Sequence, residues 1–251
     1  MLDYFLLVLV GFIAGIINIL AGGGSLLTLP MLIFFGLPPH IANGTNRIAI
    51  IIQNIFAVKG FQSKGVNTYP FSIYLAIPAT IGAIIGAFAG IKIEGELFNK
   101  ILGIVMVIIV LHMVFKPSDI SHKTLERITG KYFWLSMIAF FFIGLYGGFI
   151  QAGVGFIILL TLSSINQFSL VKSNAIKVTV ALIYTLAAVA IFAYNDSINW
   201  KYGLILSLGN ATGGWFMSRW SVDKGDKFVK KVLIIMVLAM AIKLWFPDFY
   251  S

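Results

Sequence analysis

Eight stretches of predominantly apolar residues, each close to twenty residues long, recur along this 251-residue chain. They run Leu2–Leu20, Asn43–Phe61, Tyr69–Gly90, Leu97–Phe115, Tyr132–Gln151, Leu170–Tyr194, Trp200–Trp220 and Phe228–Phe246. An α-helix rises about 1.5 Å per residue, so a run of this length matches the about 30 Å hydrocarbon core of a bilayer. Unbroken runs exclude a transmembrane barrel, whose strands give short alternating segments. The fold class expected is an all-α polytopic membrane protein.

Composition closes the other routes. Charged residues make up 11% of the chain and hydrophobic residues 59%, against about 25% charged in a soluble domain. So few charges cannot coat a globule, which excludes a soluble enzyme and a disordered chain. With no cysteine there is no disulfide scaffold and no thiolate metal site. The net charge of +9 sits in short basic clusters between apolar runs. That pattern fits loops facing anionic membrane lipid and not nucleic acid. Leu2–Leu20 lacks a basic leader and a small-residue cleavage site, and reads as a retained span.

Two further apolar pieces, Ser25–Leu37 and Phe156–Ile165, are too short to cross unaided. Each follows a long helix across a glycine break, Ala21-Gly22-Gly23-Gly24 and Gly153-Val154-Gly155. The recurrence signals an internal repeat. At an offset of 133 residues Gly11 meets Gly144, Gly15 meets Gly148, Asn18 meets Gln151, Gly22 meets Gly155 and Thr28 meets Thr161; past a three-residue deletion, Asn43–Arg47 meets Ser173–Lys177. Two membrane repeats are expected, 1–115 and 132–251, joined by a cytoplasmic linker, 116–131.

The basic residues choose between topologies. If the short pieces complete a crossing, each repeat crosses five times. The linker side then holds Lys59, Lys64, Lys116, Lys123, Arg127, Lys131, Lys172, Arg219, Lys224, Lys227, Lys230 and Lys231, against Lys92, Lys100, Lys201 and Lys243 opposite. If they are re-entrant hairpins the split is even. The first arrangement satisfies the positive-inside tendency. It makes the repeats inverted, with the linker inside and both termini outside a cell membrane.

Inverted repeats with broken helices are the architecture of secondary transporters, and freed backbone groups at membrane depth are tolerated only where they line a cavity or meet a ligand. Gly22, Gly23 and Gly24 let a ligand approach the amides, Ser25 is placed to cap the short helix behind them, and the helix N-terminus favours an anion. Gly153 and Gly155 form the second break. The i, i+4 series Gly82, Gly86 and Gly90 reads instead as close helix packing. Arg47 and Lys177 hold equivalent repeat positions, on helices opened by Asn43, Thr45 and Asn46 or by Ser173 and Asn174. A cation within a span costs about 2.5–3.5 kcal/mol on insertion scales; the alternative is snorkelling to the interface. All nine acids fall in loops or end turns, so a cationic substrate lacks a partner. Asn18, Gln151, Thr28 and Gln53, with Asn54 beside it, complete the polar set expected to bind substrate, or else to join helices. No ATP-binding, nucleophile or metal-ligand motif occurs. An enzyme and a bound cofactor are therefore not expected.

The stretch from Gly11 through Ala21-Gly22-Gly23-Gly24-Ser25 to Pro30, followed by His40-Ile-Ala-Asn43-Gly-Thr45-Asn46, resembles the sulfite exporter TauE/SafE family. The second repeat departs from the pattern, with Gly153-Val154-Gly155 for the triplet and Ser163 at the place of Pro30. The resemblance implies a transporter in the cell membrane exporting a small sulfur-containing anion, sulfite or an organosulfonate. Its partners are then the anionic substrate and membrane lipids, and a homodimer is compatible with the chain. The alternatives are an anion channel, which would use the same cavity without alternating access, and a membrane scaffold or assembly protein, which would need no site.

Overall fold

The computed structural model describes residues 2–93, 96–98, 100–101, 104 and 126–245. Its helices are α1 Leu2–Ala21, α2 Ser25–Phe34, α3 Pro39–Gln62, α4 Phe71–Lys92, α5 Gly130–Phe149, α6 Val154–Ile165, α7 Leu170–Tyr194 and α8 Trp200–Trp245, with no strand among the described residues. Most of the expected span Leu97–Phe115 and most of the linker lie outside the described residues. The two helices expected over 200–220 and 228–246 fall within α8 on either side of Gly225, whose non-helical backbone (φ 71°) separates them.

Local sequence sets several boundaries. Pro39 opens α3 at its first position, where the missing N–H has no cost. Ser169 caps α7 by accepting a hydrogen bond from the Lys172 amide (3.2 Å). Four helices are long and apolar enough to cross a membrane: Asp3–Ala21, Phe71–Lys92, Gly130–Phe149 and Leu170–Tyr194. The 24-residue α3 has the length, but Asn43, Asn46, Arg47, Gln53 and Asn54 lower its hydropathy. All five are buried, so the lipid never meets them. The outward faces are apolar instead; on α4, Ile77, Ile81, Ile85 and Phe88 are each about half exposed.

Glycines determine which helices pair. A Cβ on Gly11 or Gly15 of α1 would strike the Leu206 or Asn210 carbonyl of α8, and one on Gly209 or Gly213 the Val8 or Phe12 carbonyl of α1. Between α4 and α5 the same interlock recurs: Gly82 and Gly86 lie on the Phe141 and Leu145 carbonyls, Gly144 and Gly148 on those of Ala79 and Ala83. Such spacing lets backbones approach without side chains between them. Gly82 and Gly86 thus have the packing role expected of them, and Gly90 lies against the Phe149 carbonyl. The polar helices α3 and α7 sit at the centre, against each other and against α8 and α4 respectively.

Aromatic contacts show how the short helices run. Tyr4 near the start of α1 and Phe35 just past α2 both pack on Tyr202 at the start of α8 (6.3 and 6.2 Å between centroids). Phe133 at the start of α5 and Phe168 just past α6 both pack on Phe71 at the start of α4 (6.5 and 5.4 Å). Each long helix and its short successor therefore form a V that returns to its starting side. At ten residues α2 covers about 15 Å, half the core. The breaks lie at the tips of the two Vs.

Candidate anion site at the crossed helix breaks

The two tips touch. Gly22 takes φ +74° at the end of α1, and a Cβ there would lie within 3 Å of the Gly155 and Phe156 backbone. Gly155 in turn has the Gly22 Cα 2.6 Å from where its own Cβ would stand. Two residues matched by repeat offset are thus in direct contact. Gly153 at φ +70° is the residue before α6, and Gln151 holds a left-handed conformation at φ 66° although it has a side chain. Glycine at 22 and 155 is required by the crossing and at 153 by the turn, while Gly23 and Gly24 supply the connection into α2.

Breaking two helices frees their last carbonyls, and the buried cations take them. Arg47 donates from Nη1 to the Gly147 carbonyl (2.9 Å) and from Nη2 to that of Gly148 (2.6 Å), with Asn43 Oδ1 accepting a further bond (3.3 Å). Asn43 Nδ2 donates to the Phe149 carbonyl (2.7 Å). Lys177 donates to the Asn18 and Ile19 carbonyls (2.7 and 3.0 Å) and to Asn174 Oδ1 (2.6 Å). A helix on one side of the crossing therefore closes the broken helix of the other, with cations placed where the helix dipole is negative. Arg47 is 0% exposed and Lys177 3%, so neither snorkels. Arg47 also lies over the Phe192 ring, 4.6 Å from its centroid.

A cavity of about 20 Å³ lies beside the crossing, lined by Asn18, Ser25, Asn54, Gln151, Gly155, Lys177 and Tyr184 with apolar Ile50, Val154 and Ala181. That volume accommodates about one water molecule. Of the residues expected at the site, six gather here: Asn18, Ser25, Asn54, Gln151, Gly155 and Lys177. Arg47 does not line the cavity; its fork is turned toward α5. Gln53 accepts from Asn18 Nδ2 (3.2 Å) behind the wall. Ser25 does not cap α2, whose N-cap position is Gly24 and carries no side-chain cap; its hydroxyl accepts from Asn46 Nδ2 (3.1 Å), and Thr28 donates to Asn46 Oδ1 (2.6 Å). These bonds moor α2 to α3. Thr45 accepts from the Asn199 amide (2.8 Å) ahead of α8, away from the cavity. Ser173 and Asn174 lie on α7 near Lys177, and Thr161 bonds within its own helix.

Several cavity groups have no hydrogen-bond partner: Asn54 Nδ2, Gln151 Oε1 and the Tyr184 hydroxyl. The Tyr184 hydroxyl stands beside Gln151 and Thr185 without hydrogen-bond geometry to either, and those two bond each other (3.1 Å). Tyr184 is absent from the sequence-based set, although a signal existed: it lies two helical turns past Lys177, as Asn54 lies two turns past Arg47. The described acids Asp3, Glu96, Glu126, Asp196 and Asp223 are all exposed. No group of three or more His, Cys or acidic residues suited to a metal occurs among the described residues.

The profile of the family described as sulfite exporter TauE/SafE matches residues 7–244. This chain belongs to the sulfite exporter TauE/SafE family. Relatives agree over nearly their whole length. A probable membrane transporter protein of Sinorhizobium sp is 28% identical over 233 residues, 93% of this chain and 88% of the relative. One from Haemophilus influenzae is 28% identical over 235 residues, 94% and 91%. A third, from Bacillus subtilis, is 22% identical over 259 residues, 94% and 93%. No solved structure matches the chain. Membership of TauE/SafE and the apolar helices together make this a multi-pass membrane protein of a transporter family; its relatives carry the names of transporters and not of enzymes.

Proposed function

We propose that the protein exports a small anion, sulfite or an organosulfonate, across the cell membrane by alternating access between two inverted repeats. One observation carries the reading. Lys177 is buried at the cavity, its charge answered only by neutral oxygens, and no carboxylate is among the buried residues described. A buried cation without a counter-charge is costly, and a diffusible anion supplies the missing charge. The unpartnered donors beside it, Asn54 Nδ2 and the Tyr184 hydroxyl, offer further contacts.

The interlocking glycines support the duplication: exchanging 11 with 144, 15 with 148, 82 with 209 and 86 with 213 turns one helix pair into the other. The distribution of basic residues over the two ends supports a sidedness. Lys59, Lys64, Arg127, Lys131, Lys172, Arg219 and Lys224 sit at the end shared by Phe71 and Phe133, and Lys92 and Lys201 at the end shared by Tyr4 and Tyr202. The positive-inside tendency puts the first end in the cytoplasm and the N-terminus outside. A cavity with room for one water is too small for a sulfonate, so loading requires the Vs to part, which is the motion alternating access needs.

The test is flux of labelled sulfite and of methanesulfonate in proteoliposomes. Lys177→Ala is expected to abolish saturable flux while the protein remains folded and monodisperse. Wild-type flux through that variant would refute the site. Saturation with counterflow distinguishes a transporter from a channel.

A further inference from the structure

Resting on the anion-site reading above, we infer that Asn54 and Tyr184 are the specificity-determining pair of the site: the Asn54 carboxamide N–H and the Tyr184 hydroxyl donate to oxygens of the anion held by Lys177. Three observations place them there. Both line the cavity with Lys177. Both are buried, Asn54 at 2% and Tyr184 at 0% exposure. Their donor groups, Asn54 Nδ2 and the Tyr184 hydroxyl, have no hydrogen-bond partner in the protein. Buried donors are nearly always paired, so two unpaired donors facing one small cavity mark the place of an absent acceptor.

Position supports the same conclusion. Asn54 follows Arg47 by two turns of α3 and Tyr184 follows Lys177 by two turns of α7, so both project along the faces that carry the cations. The offset of 130 residues between Arg47 and Lys177 is also the offset between Asn54 and Tyr184. Each of the two central helices thus contributes a neutral donor at the same level. Lys177 has all three of its N–H donors engaged by the protein. In this arrangement it supplies charge, and the directed bonds must come from elsewhere. Apolar Ile50, Val154 and Ala181 complete the walls and cannot supply them. Tyr184 is fixed from behind, since its ring lies on Gly147, where a Cβ would stand 3.0 Å from the hydroxyl oxygen.

The experiment uses the purified full-length protein and measures anion binding by titration calorimetry and thermal shift, with sulfite, methanesulfonate, thiosulfate and acetate as probes. The variants are Tyr184→Phe, Asn54→Leu and Lys177→Met. Tyr184→Phe and Asn54→Leu remove donors that make no bond in the protein, so the melting midpoint without anion is expected to stay at or above the wild-type value. Each is expected to weaken binding about 10- to 100-fold, the range for one hydrogen bond to a charged group, and to alter the ranking of the oxyanions. If both variants keep wild-type affinities and ranking while Lys177→Met loses binding, the inference is overturned and the anion site stands. If Tyr184→Phe and Asn54→Leu lower the anion-free midpoint, the donors are structural and the inference is overturned as well. If the wild type binds none of the probes, the anion-site reading falls and takes this one with it.

Discussion

Replacing Gly22 by alanine tests the crossing of the two breaks, and the structure supplies its own control. Gly22 and Gly36 both have positive φ, +74° and +86°, and an L-residue in that region costs about 1–2 kcal/mol. At Gly36 nothing lies within 4 Å of a new Cβ, so Gly36→Ala carries that cost alone. At Gly22 the Cβ overlaps the backbone of Gly155 and Phe156, which no rotamer change can relieve. Overpacking of this kind adds about 1–3 kcal/mol. Gly22→Ala is therefore expected to destabilise by about 2–5 kcal/mol, and Gly36→Ala by no more than about 2 kcal/mol. Reversible unfolding in mixed micelles gives both numbers. Gly155→Ala meets the same obstacle from the opposite side, without the φ cost, and the double variant should be non-additive because one shift of the tips relieves both overlaps. Equal stability losses for Gly22→Ala and Gly36→Ala, or additive losses for Gly22→Ala and Gly155→Ala, would mean that the tips do not touch.

Three further outcomes follow from the contacts. Arg47→Lys keeps the charge but loses the fork, leaving one of the Gly147 and Gly148 carbonyls unpaired; a loss of about 1–3 kcal/mol is expected in the same unfolding assay. Gly86→Val forces α4 from α5 at the Leu145 carbonyl and should cost about 2–3 kcal/mol, seen as a lowered melting midpoint. Because the chain has no cysteine, single Lys64→Cys and Tyr194→Cys variants report sidedness: an impermeant maleimide added to intact cells should modify only Tyr194→Cys, and in inverted vesicles only Lys64→Cys.

Much of the scaffold was legible in the sequence because membrane spans are set by length and hydropathy alone. Leu170–Tyr194 is the same in both, and Leu2–Leu20 differs from α1 by one residue. The close-packing role of Gly82, Gly86 and Gly90 was legible from their spacing, and each lies on a carbonyl of α5. Less legible was what each V does. Hydropathy and loop charge give sidedness, and a V returns to the same side as two full crossings, so the two cannot be told apart that way. The cations illustrate a different limit. That Arg47 and Lys177 are buried and paired by repeat could be read from their placement; that their first obligation is to backbone carbonyls of the opposite broken helix could not. The freed carbonyls have no sequence signature, and their partners lie 100 residues or more away in the chain. Ser25 was displaced from its expected capping role for a related reason, since Asn46 on α3 offers it a buried donor.

The reciprocal closure of the broken helices bears on biogenesis. When α1 leaves the ribosome, the Asn18 carbonyl has only the Gly22 amide (2.8 Å), and the ammonium that also binds it and the Ile19 carbonyl is encoded 159 and 158 residues later. Until α7 is inserted, the nascent N-terminal segment must keep that end hydrated or held by the insertion machinery. A polypeptide terminated before residue 177 leaves it exposed permanently, an open peptide terminus in lipid of the kind that membrane quality control removes.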